Sequence, residues 1–158
     1  MMKKPHEFGE RKQVQRYASR PGAYALIFNA DNRIAVMQTP RGCFLPGGGS
    51  EGSETPEEAV VREVREECGF EVELVRRIGE AVEYVHTKGN ELGIRKECTF
   101  FHATVLGDGG AATEPDHTLL WLTLAEAKER LAHGSQRWAV EKLYHDMTGD
   151  AHNQTFRS

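Results

Sequence analysis

Residues 48–70 read GGSEGSETPEEAVVREVREECGF, a glycine run followed by a helical stretch with seven Glu in 23 residues. The helix has strong end signals. Thr55 can serve as N-cap, Pro56 suits the first helical position, and Glu58 completes a T-x-x-E capping box. Gly69 stands where a left-handed residue would stop the helix. At about 100° per residue, Glu63, Glu66 and Glu67 share an arc about 100° wide, with Ala59 among them. Val60, Val61, Val64 and Cys68 occupy the adjoining arc. Such a helix has to bury one face against a sheet and keep a carboxylate face beside it.

That carboxylate face is unfavourable alone. Like charges at i, i+3 and i, i+4 each cost a helix about 0.2–0.5 kcal/mol. The one well-oriented i, i+4 pair, Glu58 with Arg62, lies off to the side. Crowded carboxylates either raise one another's pKa or hold a cation. Oxygen-only ligands suit a hard divalent ion, Mg²⁺ or Mn²⁺, rather than Zn²⁺. The run Gly47-Gly48-Gly49 lets the backbone turn sharply, approach a ligand closely and offer a carbonyl to the metal. Mg²⁺ held this way shares its remaining positions with waters and substrate phosphates, which points to hydrolysis of a phosphoanhydride. The plain alternative is an exposed acidic helix after a flexible loop. The caps, the glycines and the single arc weigh against it.

The rest of the chain reads as one domain, residues 17–148, between a polar, irregular arm (1–16) and a flexible tail (149–158). A hairpin is expected from 22–29 and 33–39 around a turn at Asp31-Asn32, then a Pro/Gly-rich loop at 40–49. After the acidic helix come strands at 71–86 and 95–106 around a turn at Gly89-Asn90. A long Gly-rich loop (107–117) and a strand (118–123) follow. Thr123 and Glu126 form a second capping box, Gly134 is expected to end that helix, and another begins with SQRWAVEKLYHDM. The fold class is α/β, a mixed β-sheet between helices.

Composition narrows the function. The net charge of −4 gives no reason to expect a nucleic-acid polymer as partner. Residues 1–20 nonetheless carry six Lys/Arg against two Glu, and the remainder 14 against 22. The basic arm reads as solvated, with a contribution to an anionic substrate's site as the alternative. Three Cys without C-x-x-C spacing argue against disulfides and structural zinc and fit a cytoplasmic protein. No apolar run reaches the length of a membrane span, so no membrane partner is expected.

The quoted stretch resembles the signature of the Nudix hydrolases, G-x5-E-x7-R-E-U-x-E-E-x-G-U, where U is a bulky aliphatic. Gly48, Glu54, Arg62, Glu63, Val64, Glu66, Glu67 and Gly69 fill its positions, and Phe70 stands where an aliphatic residue is usual. The resemblance implies an α/β/α sandwich and metal-dependent hydrolysis of a pyrophosphate link in a small nucleotide. It implies Glu63, Glu66 and Glu67 as metal-binding and proton-accepting carboxylates, with the Gly48 carbonyl as a further ligand. Arg62 would hold helix and loop in register, with Glu54 as its partner. Family members often add an acid from a later loop; Glu114 is the first candidate, Glu97 and Asp116 the alternatives. A homodimer is a common arrangement in the family.

Subfamily markers thin the choices. There is no SQPWPxQxS-like stretch, no coenzyme A marker, and no Pro between Pro56 and Pro115, where ADP-ribose hydrolases often carry one. A MutT-like enzyme acting on nucleoside triphosphates, oxidised ones included, is the leading expectation; ADP-ribose, dinucleoside polyphosphates or a nucleotide-sensing module are the alternatives. Tyr17, Tyr24 and Phe44 are candidates for base stacking, and Arg20 and Arg41 for substrate contacts. Trp138 reads as core.

Overall fold

The computed structural model describes residues 5–12, 16–86, 92–107 and 110–149. The Gly89-Asn90 turn and residues 150–158 of the expected tail lie outside that range. Among the described residues eight strands form one mixed sheet: β1 (His6–Phe8), β2 (Tyr17–Phe28), β3 (Ile34–Thr39), β4 (Gly42–Phe44), β5 (Gly47–Gly49), β6 (Glu71–His86), β7 (Gly93–Leu106) and β8 (Thr118–Leu122). Their order is β1-β6-β7-β2-β3-β4, with β5 added to β2 and β8 to β3. β2 and β7 run parallel from Tyr17↔Gly93 to Phe28↔Thr104, and β6 and β7 are antiparallel. The helices are α1 (Pro56–Cys68), α2 (Leu124–Arg130) and α3 (Gly134–Thr148).

Alternation along β2 and β7 builds two cores, because successive side chains leave a strand on opposite faces. Ala23, Ala25, Ile27, Phe101 and Ala103 face Val60, Val64 and Cys68 of α1. Tyr24, Leu26, Cys98 and Phe100 face Ala139, Val140 and Leu143 of α3. Burial of Val60 and Val64 stabilises the α1 contact by about 1.5–3 kcal/mol each. Trp138 packs against the α3-side core, as its sequence setting suggests. The result is the expected sandwich, with helices on both faces of a mixed sheet.

The local end signals of α1 are all used. Thr55 Oγ1 accepts the Glu58 N–H, the Glu58 carboxylate accepts the Thr55 N–H, and Gly69 closes the helix in the left-handed region at φ 71°. Four expectations need correction. The arm at 1–16 contains β1, which pairs in parallel with Ala81–Glu83 of β6 and brings Phe8 onto Trp138. The loop at 40–49 contains β4 and β5, and the glycine run of β5 pairs with Gly22–Tyr24. Gly134 opens α3 rather than ending α2. The preceding helix stops at Arg130 because Leu131 turns extended and its neighbour Ala132 donates to the Cys43 carbonyl. Finally, Arg62 does not pair with Glu58, whose carboxylate is consumed by the cap.

Candidate active site

The site begins where β5 passes under α1. Gly47 has φ 146°, and a Cβ on it would lie 2.2 Å from the Ala23 carbonyl oxygen, so only glycine fits. A Cβ on Gly48 would lie 2.8 Å from the Glu63 carboxyl carbon. The carboxylate of Glu63 therefore rests directly on the bare backbone of Gly48. Beside it, Glu67 Oε1 accepts the Gly47 N–H at 2.8 Å. Strand pairing of the glycines with β2 makes this corner part of the sheet rather than a free loop.

Arg62 ties the corner together. Its Nε and Nη2 donate to the two oxygens of Glu54 at 2.7 and 2.9 Å, a forked pair. Nη2 also donates to the Gly49 carbonyl at 3.1 Å. Nη1 donates to Glu63 at 3.0 Å and to Glu66 at 2.8 Å. The Arg62 guanidinium and the Glu51 N–H hold the Glu54 carboxyl down at about 2. The expected Arg62–Glu54 strut is thus present, and Arg62 additionally spans two of the three carboxylates on the arc.

Glu67 behaves oppositely. Burial, followed by the charges of Glu63 and Glu66, raises its carboxyl to about 7 against the pull of the Gly47 N–H. A half-buried carboxylate beside two others is stabilised by a proton or by a cation. The donor set is all oxygen, which fits a hard divalent ion and not zinc. Among the described residues, no three His, Cys, Asp or Glu side chains already converge as a cation cage. The geometry supplies the reason, since Arg62 occupies Glu63 and Glu66 and a backbone N–H occupies Glu67.

A cleft of about 1060 Å³ opens from this corner. Gly47, Gly48, Gly49 and Glu67 form one end, and Tyr24, Phe44 and Arg41 continue the wall. Three of the five expected substrate contacts are therefore here, and two are not. Tyr17 has its hydroxyl 2.7 Å from His86 Nε2, accepts the Lys12 N–H and sets its ring edge-on to Tyr84. Arg20 is exposed and bonds its neighbour's carbonyl, Ser19 O.

The loop before β8 docks on the end of α1. Thr113 donates through its N–H and hydroxyl to the carbonyls of Glu67 and Glu66. Glu114 is exposed and outside the cleft wall, whereas Asp116, the alternative, lines it. Glu97 lies on the α1 face of β7, paired with Arg95 at 2.6 Å. Sequence reading missed Lys96, His86, His133 and Gln136, which complete the far wall. Gln136 seats α3 by accepting the Leu45 N–H at 2.8 Å, and His133 meets Phe44 edge-on at 5.0 Å. Their only local signal was polarity at strand ends or a helix start.

The NUDIX domain model matches residues 18–143. The ADP-ribose pyrophosphatase of Methanocaldococcus jannaschii is 50% identical over 49 residues, covering 28% of this chain and 29% of that protein. The chain thus spans less than a third of that relative's length. The MutT NUDIX hydrolase from Burkholderia pseudomallei is similar in structure, with TM-score 0.61 and 28% identity over 80% of this chain and 98% of that one. The MutT protein from Methanosarcina mazei Go1 shares the fold at TM-score 0.64, with 21% identity over 90% of this chain and 100% of that one.

Proposed function

Since the chain belongs to the Nudix family, we infer that it hydrolyses the pyrophosphate link of a nucleoside diphosphate derivative with a divalent metal. The observation that carries this reading is the pair of carboxylates on the glycine strand, Glu63 against Gly48 and Glu67 on the Gly47 N–H. Glu63, Glu66, Glu67 and the Gly48 carbonyl would hold Mg²⁺ or Mn²⁺. The cation would supply positive charge against the phosphate oxygens and make water easier to deprotonate. Glu67 is our choice for the group that accepts the proton of the attacking water, because it lines the cleft and is held at the glycine corner by the Gly47 N–H. Arg62 keeps the 49–54 loop in register with α1 through Gly49 and Glu54.

Asp116 takes the place of Glu114 as the further acid, because it faces the cleft. Phe44 offers a face for a nucleobase and Arg41 a cation for a phosphate. A nucleoside triphosphate, oxidised forms included, is the leading substrate. ADP-ribose is the second reading, favoured by the 49-residue match to an ADP-ribose pyrophosphatase. Three buried free thiols suit a reducing cytoplasm.

The experiment is a hydrolysis panel with Mg²⁺ and Mn²⁺ over nucleoside triphosphates, 8-oxo-dGTP, ADP-ribose and dinucleoside polyphosphates. Metal-dependent turnover that disappears on Glu67→Gln supports the reading. Tight binding of one nucleotide with no phosphate release across the panel would replace it with a sensing role.

A further inference from the structure

Lys96 stands across Tyr24 from the acidic corner. It is half-buried on β7, and its Nζ lies 5.7 Å from the centre of the Tyr24 ring. The same ring presses on Gly47, where a Cβ would come within 2.7 Å of Tyr24 Cδ1. Gly47 in turn donates to Glu67. One aromatic ring therefore separates the lysine from the carboxylates, and both line one cleft.

Among the described residues Lys96 has no carboxylate within ion-pair distance. The β6–β7 register would lead one to expect a partner, because Glu83 faces Lys96 directly. Glu83 is 4% exposed and committed elsewhere. It accepts the Ser135 N–H in the first turn of α3 at 2.9 Å, where the helix end favours negative charge. The backbone of Gly9 closes over its other oxygen; a Cβ there would lie 3.0 Å from Glu83 Oε2. The carboxylate is thus drawn under α3, and the ammonium leans over Tyr24 instead. His133, on the same wall, has its pKa lowered by burial and then by Lys96 and Arg137, with Glu83 opposing. Lys96 and Arg41 are the lysine and arginine among the described residues of the cleft wall.

A half-buried ammonium held by a ring face alone is under-compensated, and an anionic group is its natural partner. Resting on the pyrophosphohydrolase reading, the geometry points to Lys96 as a specificity-determining residue. It contacts an anionic group of the substrate beyond the two phosphates at the Gly48–Glu67 corner. That preference favours a nucleoside triphosphate over a nucleotide whose chain ends at the diphosphate.

The test is calorimetric titration with α,β-methylene-ATP and α,β-methylene-ADP, using Ca²⁺ to suppress turnover. The wild-type protein is expected to bind the triphosphate about tenfold more tightly, in line with one charge-assisted contact. Lys96→Met should bring the ratio close to one, and Lys96→Arg should restore most of it. Equal affinities in the wild type, or an unchanged ratio in Lys96→Met, overturn the proposal. Should Lys96→Met lack a cooperative unfolding transition, the wild-type ratio against ionic strength decides. It should fall as salt rises, and a salt-insensitive ratio counts against Lys96. Absence of metal-dependent turnover would sink the hydrolase reading separately, since these affinities need no turnover.

Discussion

The two faces of the sheet handle charge in opposite ways. On the α1 face one guanidinium, Arg62, serves four carboxylates: Glu54, Glu63 and Glu66 within 3.0 Å and Glu51 at 3.6 Å. Negative charge is left over, and it falls on the half-buried Glu67. On the α3 face a buried carboxylate is satisfied by a helix N-terminus, and a lysine is left over. Tyr24 lies between them, its own ionisation suppressed by burial and by the acids around it. The contrast teaches that a surplus, rather than a bond, marks each end of the cleft. The acid end calls for a cation and the basic end for an anion, as a metal-bound polyphosphate would supply.

The largest effect should come from removing the acid surplus. Glu67→Gln, which keeps the oxygen for Gly47, is expected to lower turnover by about 10²–10⁴-fold in a steady-state assay. A rate within a few-fold of wild type would break the comparison at once. Gly48→Ala probes the same corner from the backbone, since the added Cβ must displace the Glu63 carboxylate. A loss on the order of 10²-fold in kcat is expected, with the unfolding transition retained.

Next is pH. The Glu67 carboxyl rises from 4.5 to about 7 on folding, so the native state holds this proton more tightly than the unfolded chain does. For the metal-free protein the contribution is fully present below 4.5 and is lost as pH rises through about 7. Thermal midpoints at pH 5 and pH 8 should show the fall. Glu67→Gln should remove this component and leave the metal-free protein more stable than wild type at pH 8. Such a gain beside lost turnover would mark Glu67 as a group kept at the expense of stability.

Smaller effects belong to the fixtures. Arg62→Lys retains the charge but not the fork on Glu54, so its thermal midpoint should fall while Glu58→Gln, at the cap, falls less. Tyr17→Phe removes a hydroxyl shared by Lys12 and His86 and should cost about 1 kcal/mol in denaturant unfolding. An unchanged unfolding midpoint there would mean that the N-terminal arm is held by β1 alone.

Much of the acid end was legible in the amino-acid sequence. Thr55, Glu58 and Gly69 act within one or two turns of helix, and Glu63, Glu66 and Glu67 share a face by helical period alone. The strut from Arg62 to Glu54 also joins residues only eight positions apart. The glycine run reads as a loop because its strand character depends on Gly22–Tyr24, more than twenty residues upstream. Residue type alone sets Tyr17 and Arg20 in the substrate's path. Both lie toward the start of β2, before the stretch that borders the cleft, and residue type carries no such position. Asp116 rather than Glu114 lines the cleft, in a loop that Thr113 ties to α1 by two hydrogen bonds.

By itself the sequence determined the fold class, the capped helix and the carboxylate arc, since each follows from short-range periodicity and end chemistry. Only the tertiary structure decided what faces that arc. β6, β7 and the start of α3 meet through strand register and helix docking, and these bring Glu83, Lys96 and His133 together from distant parts of the chain. The physical reason is that local rules set which face a side chain leaves from, while packing sets which charge it finds there. The bare backbone of Gly48 under Glu63 belongs to both, a glycine visible in the chain whose necessity appears only when α1 lies across it.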